Sequence, residues 1–427
     1  MKILLHTWVI LLSFFLLAVP VTANLSGTDI PIHSLNITED ESGNPYNTYS
    51  NGFVLDHELI VWETYRVKQA PPKNISSIIR MMNVSDGETQ VIATSPSSEH
   101  QYMFDTPFSA EEGRVVWSEN SMIFLYDRTT GKEKSLTTDE SRGDPRLYRQ
   151  NRNPIIISDR VIWIGDQVYP STRSEIALLN LTSQNRQLVF SGPGKIGTLS
   201  ADGSHIVWSD ERNEPGGGDI YLFDLDRNEE IPLCTARDLQ HYPRISGEYV
   251  VWEDLRDGNP AIYLYNLTSK TEQRISGDNP LTLASMPYIA GNYVAWTQYD
   301  VHDRTREKSR TIAIYRINTG ERELFLQGTR PLTLLDLKEN RLLYYRSEGK
   351  SLQEGYVHLF VIDTMEESLA TTQPAPVTGQ ENLTREATHQ RSPAPSQSAP
   401  ACVAVPLAAA CIAFFIWSRT AYPSTGP

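Results

Sequence analysis

Two acidic segments carry the side chains with the most chemical promise, residues 209–219 (SDERNEPGGGD) and 253–259 (EDLRDGN). Calcium takes six to eight oxygens, usually several from one loop, and neither segment has the EF-hand spacing that supplies them. Asp210 and Asp254 are therefore expected to bond nearby backbone amides and shape a turn. His100, His205, His241, His302 and His358 are scattered, with no two at the spacing of a metal pair. They are expected to be exposed or hydrogen-bonded, although histidines from distant segments could still converge in a fold. Residues 192–198 (GPGKIGT) lack the full G-x-x-x-x-G-K-[ST] pattern and read as a turn. There is no G-x-S-x-G elbow. Cys234 has no His or Cys beside it and reads as a small core residue. These residues give no reason to expect a catalytic group, a metal site or a cofactor.

The elements that must position these side chains are bounded by two apolar ends. Residues 1–23 contain one lysine, Lys2, then an apolar run over 9–19, then Val21-Thr22-Ala23, and read as an export signal. Residues 401–417 are uncharged and are followed by Arg419. At about 1.5 Å per residue they reach about 26 Å, against a bilayer core of about 30 Å. They predict a membrane helix over 401–418 with a short inner tail, 419–427; the competing reading is a sorting tail that is clipped and replaced. Residues 371–400 are rich in Pro, Thr and Ser with almost no large apolar side chain, so they read as a stalk rather than a packed unit. Seven Asn-x-Ser/Thr sequons, at Asn24, Asn36, Asn74, Asn83, Asn180, Asn266 and Asn382, all fall in the part expected to be exported and are glycosylation candidates. Of three cysteines, Cys402 and Cys411 lie in the apolar stretch, so no disulfide framework is available to the remainder. The net charge of −14 argues against nucleic acid as a partner.

Between these ends a short apolar run ending in an aromatic recurs, at Trp62, Trp117, Trp163, Trp208, Trp252, Trp296 and Tyr344, at intervals of 55, 46, 45, 44, 44 and 48 residues. A second apolar run follows each copy, for example DIYLFDL from Asp219 and AIYLYNL from Ala261. Gly203, Gly247 and Gly291 each stand five residues ahead of the aromatic. Each unit thus predicts four short strands, A to D, joined by Gly, Asn, Asp and Pro turns. Strands B and C are almost continuously apolar, as expected of sheets covered on both faces. Blades radiating around an axis meet that condition, and a Trp burying about 150–250 Å² fills the gap that widens away from the axis. The expected fold over residues 45–370 is all-β, a seven-bladed β-propeller, with six blades as the alternative if the irregular first unit is lost. The leader, 24–44, contains SLNIT at 34–38, a candidate strand to close the ring; residues 366–370 are the competing strand from the last unit.

The stretch ISGEYVVWEDLRDGNPAIYLYNLTSKTEQRIS, residues 245–276, resembles the TolB-type propeller repeats of cell-surface proteins in methanogenic archaea, over about residues 45–370. The resemblance implies architecture and a surface location, not an activity. In such a blade the A–B and C–D turns share one end and the B–C and D–A loops the other. Asn83, Asn180 and Asn266 fall at C–D turns, whereas the B–C loops vary in length and hold Tyr65, Tyr169, Arg212, Arg256 and Tyr299. Varied loops on a rigid scaffold are where recognition usually resides, so these five residues are the expected binding set. The function expected is a noncatalytic module for adhesion, envelope scaffolding or capture of an extracellular protein or glycan, attached to the membrane by its C-terminal helix. The alternative is a propeller hydrolase or lyase acting on extracellular polysaccharide at the channel mouth.

Overall fold

A computed structural model describes residues 27–32, 46–68, 75–95, 108–138, 149–167, 173–214, 216–302, 309–325, 330–347 and 355–363. The two apolar ends, the proline-rich stretch, Tyr169 and the sequons Asn24, Asn36, Asn74 and Asn382 lie outside them. Among the described residues, no helix is long and apolar enough to cross a membrane.

Apolar β-branched and aromatic runs broken by two-residue turns give seven antiparallel sheets of four strands each. Blade 5 is representative: strand A is Gln240–Ser246, B is Tyr249–Asp254, C is Ala261–Asn266 and D is Thr271–Arg274. The A–B turn needs a positive φ at its first residue, which Gly203 (+57°), Gly247 (+56°) and Gly291 (+53°) provide without a Cβ penalty. At the C–D turn an Asn or Asp at the end of strand C folds back on the chain. Asn180 Oδ1 accepts the Thr182 and Ser183 amides, and Asn266 Oδ1 those of Thr268 and Ser269. Asp127 and Asp224 do the same in blades 2 and 4. The sequons at Asn180 and Asn266 thus sit where turn geometry already calls for Asn or Asp.

The core is divided into seven apolar clusters, one at each interface between neighbouring blades. The repeated aromatic is the wedge of each. Trp208 packs on Ile162 and Ile176 of blade 3, the blade before its own, and Trp252 on Val207 and Ile220 of blade 4, again the blade before its own. All seven aromatics are at most 3% exposed. Blade 1, built from Tyr46–Asp56, Leu59–Lys68, Ile75–Asn83 and Thr89–Ser95, is a full member of the ring despite its irregular spacing.

An N-terminal strand closes the ring, but it is not the segment expected. Gly27–Ile32 pairs antiparallel with Gly355–Ile362 as the outer strand of blade 7, whose own chain supplies the other three. Residues 34–38 and 366–370 lie outside the described residues. The GTDIPI segment has a weak alternation and a proline, which hides it in sequence; an outermost edge tolerates that proline because one side of the strand needs no ladder donor. Asp29 fastens the closing strand. The Tyr344 hydroxyl donates to its Oδ1 at 3.1 Å, and His358 Nδ1 lies 3.3 Å from its Oδ2.

Candidate functional site

The residues expected at the B–C rim are largely committed to the fold. Asp254 Oδ2 accepts the Trp252 indole N–H at 2.8 Å, and Asp254 Oδ1 the Arg256 amide at 2.8 Å. Arg256 then bonds Asp254 and Glu272 and lies 4.3 Å from the centre of the Tyr263 ring. Arg212 repeats the arrangement with Trp208, Asp210, Glu230 and Tyr221. Asp210 and Asp254 thus shape turns, as their chemistry suggested, and each also ties its blade's aromatic to an arginine. Arg212 and Arg256 thus direct most of their donors to carboxylates of their own blades. Tyr299 is 8% exposed, so it too is a packing residue. Tyr65 contributes backbone to strand B of blade 1, paired with Tyr49 and Ser77.

Among the described residues, a concavity lies at the opposite end of the ring axis. A cavity of about 530 Å³ is lined by the innermost strand of all seven blades, at the end carrying the A–B turns. Val54, Ser109, Ile155, Ser200, Arg244, Tyr288 and Asp336 form one tier of its wall. Each pairs in register with the residue just before its blade's aromatic. Each also stands eight positions ahead of that aromatic in the sequence, so this tier was present in the repeat as an unread column. Strand A carries a register shift just ahead of the tier in six blades, with Asn153 (φ +51°), Tyr242 (φ +53°) and Met286 (φ +54°) in left-handed conformations at three of them.

Much of the wall's polarity stitches blade to blade. The Ile156 amide donates to Ser109 Oγ, the Ile245 amide to Ser200 Oγ and the Leu55 amide to Asp336 Oδ2 (2.7 Å). Nearer the turns, Asp56 accepts the Gly113 amide (2.8 Å), Glu111 the Ser158 amide, Asp202 the Gly247 amide (2.5 Å) and Ser246 the Gly291 amide (3.1 Å). In blades 5 to 7 the tier becomes Arg244, Tyr288 and Asp336. The Arg244 guanidinium lies 5.1 Å from the centre of the Tyr288 ring. Tyr288 and Asp336 keep a face toward the channel but are surrounded by protein, so burial pushes both pKa values up. For Asp336 the Leu55 and Leu337 amides and the Arg244 charge oppose that rise. Burial likewise raises Glu111.

Between blades 5 and 6, the buried Glu253 carboxylate accepts from Ser285 Oγ (2.6 Å) and the Met286 amide (3.0 Å), with His241 Nε2 3.0 Å from its other oxygen. The serine donates to the carboxylate and not to the imidazole, so this is an anchor for the strand bulge rather than a Ser-His pair. Among the described residues no three His, Cys, Asp or Glu side chains are grouped to hold a metal ion.

No family model and no curated protein matches the chain. Solved structures do. The acylaminoacyl peptidase of Pyrococcus horikoshii superposes with a TM-score of 0.55 at 14% identity, over 77% of this chain and 54% of that one. The β-propeller domain of the Trilobed protease from Pyrococcus furiosus, described as having an open velcro topology, gives 0.53 at 12% identity, over 73% of this chain and 95% of the domain. This chain has the fold of a seven-bladed β-propeller. TolB from Acinetobacter baumannii, of the propeller type that the repeats resemble, also matches, at a TM-score of 0.38 and 14% identity over 75% of this chain and 80% of that one. This propeller chain spans about half the length of the peptidase. At these identities the likeness concerns the fold alone.

Proposed function

We propose that the protein is a noncatalytic binding module whose ligand enters the central channel from the end bearing the A–B turns. The observation that carries this reading is the cavity of about 530 Å³ to which every blade contributes its innermost strand. That volume falls within the ~300–1,000 Å³ usual for small-ligand sites. It replaces the B–C rim as the recognition face, since Arg212, Arg256 and Tyr299 are occupied within the fold. Export through residues 1–23 and attachment through 401–418 belong to the same proposal, as do adhesion or envelope scaffolding as its use, with glycans on the exported sequons. Fractionation of cells carrying a C-terminally tagged chain tests the location. A binding screen of the full-length protein in detergent against envelope polysaccharides tests the module, with Ile157→Trp, at the cavity wall, expected to abolish capture. Capture unaffected by that substitution would remove the channel from the proposal. Shortened or unsaturated products would transfer the protein to the hydrolase or lyase class.

A further inference from the structure

Six charged side chains line the channel cavity, and they differ in how much of their hydrogen-bonding capacity is used. The four carboxylates are engaged. Asp336 accepts the Leu55 and Leu337 amides, Glu111 the Ser158 amide and Asp202 the Gly247 amide, while Glu339 lies 3.0 Å from His57 Nδ1. The two cations are less so: the Arg244 side chain bonds that of Tyr288, and both cations act on Asp336 only through their charge. Arg244 has the Tyr288 ring beneath it, and among the described residues neither Arg244 nor Lys338 has a carboxylate within ion-pair distance. Apart from the Arg244–Tyr288 bond, the guanidinium and ammonium donors are the unused capacity of the site.

The rest of the wall narrows the choice of ligand. Inner-strand amides of Leu55, Ile156 and Ile245, which an added peptide strand would need, already donate to side chains of the preceding blade. The charged groups that share the wall with the two cations are all acceptors: the carboxylates of Glu111, Asp202, Asp336 and Glu339. A peptide brings one carbonyl for every N–H and would face that wall with its acceptors unsatisfied. Hydroxyl groups can donate to it. Four nearby carboxylates also penalise phosphate or sulfate polyanions, whereas a single carboxylate can be held by the cation pair.

Resting on the channel reading above, we propose that Arg244 and Lys338 bind the carboxylate of an acidic saccharide, such as a uronic acid, whose hydroxyls donate to the surrounding carboxylates. The test is calorimetric titration of the full-length protein in detergent with a uronate trisaccharide, its carboxyl-reduced neutral counterpart and an acidic hexapeptide. The uronate is expected to bind the unaltered protein. Arg244→Gln should weaken it tenfold or more, carboxyl reduction should cost about as much, and the two losses should not add. Lys338→Gln, a turn-proximal change, repeats the measurement should Arg244→Gln fold poorly. Equal affinity for acidic and neutral sugar, indifference to both substitutions, preference for the peptide, or no uronate binding at millimolar concentration each overturns the assignment. Uronate binding that persists in Ile157→Trp overturns the channel reading itself, whereas binding lost in Ile157→Trp but blind to the carboxylate removes the cation pair's role alone.

Discussion

At Cys234 burial and charge act on one thiol in opposite directions. The Arg256 Nη2 lies 2.9 Å from its sulfur and favours the thiolate, but burial dominates and pushes the thiol up to about 12. At pH 8 only about 10⁻⁴ of it is then ionised, so native alkylation should be far slower than in denaturant. Peptide mapping reads this separately from Cys402 and Cys411; equal rates in both states would mean that the sulfur is not buried. Asp254 makes a second residue-scale case, because its carboxylate is 0% exposed and serves the Trp252 indole, the Arg256 amide and the Arg256 guanidinium at once. Asp254→Ala leaves a buried indole N–H and an arginine without their acceptor, an expected loss of about 3 kcal/mol in chemical denaturation. A loss below 0.5 kcal/mol would show that the network reorganises around water.

Among the elements, the A–B turns and the closing strand respond to different physics. Gly247 adopts φ +56°, and a Cβ added there would meet nothing within 4 Å. Gly247→Ala should therefore cost about 1 kcal/mol from backbone strain alone, with no packing contribution to confuse the result. An unchanged denaturation midpoint would indicate that this turn can relax to a negative φ. The closing strand, Gly27–Ile32, depends on side-chain anchoring as well as its ladder. Tyr344 is 0% exposed and its hydroxyl relies on Asp29, so Asp29→Ala should destabilise by about 2 kcal/mol. Thermal melting reads that loss; the same Tm as the parent would mean that the ladder suffices. Blade 7 has Tyr at the position where the other six blades have Trp, and its hydroxyl reaches a strand that comes from the other end of the chain.

For the whole molecule, acidity acts on the ring through carboxylates of opposite behaviour. Asp224 is held below the usual carboxylate range, chiefly by the Arg227 amide, with help from the Asp226 amide and against the cost of burial. Its contribution to stability is present above the ordinary Asp range of about 4 and is lost as pH falls through its lowered pKa. Asp336 and Glu111, raised by burial, contribute most at low pH, and that contribution fades as pH rises through their raised values. The unfolding free energies of the parent and Asp224→Asn should differ at pH 7 and converge toward pH 3. A gap independent of pH would assign the effect to shape rather than charge.

Periodicity alone was enough to determine the propeller, the four strands of each blade and the wedge role of the aromatics, because each blade buries its apolar runs against copies of itself and must repeat the same pattern; that the irregular first unit is a full blade, making seven rather than six, came from the tertiary structure. Local turn chemistry was equally legible at Asp210, Asp254 and Asn266, whose partners lie two or three residues away. The closing strand and the channel wall were not. Asp29 meets Tyr344 across 315 residues, and Asp336 meets Leu55 across 281, distances over which no sequence rule pairs a carboxylate with its donor. The same limit applies to the arginines of the B–C loops: Arg212 and Arg256 find their second carboxylates on strand D of the blade. Tertiary closure decided which cations were left over, and it left Arg244 and Lys338 facing the axis.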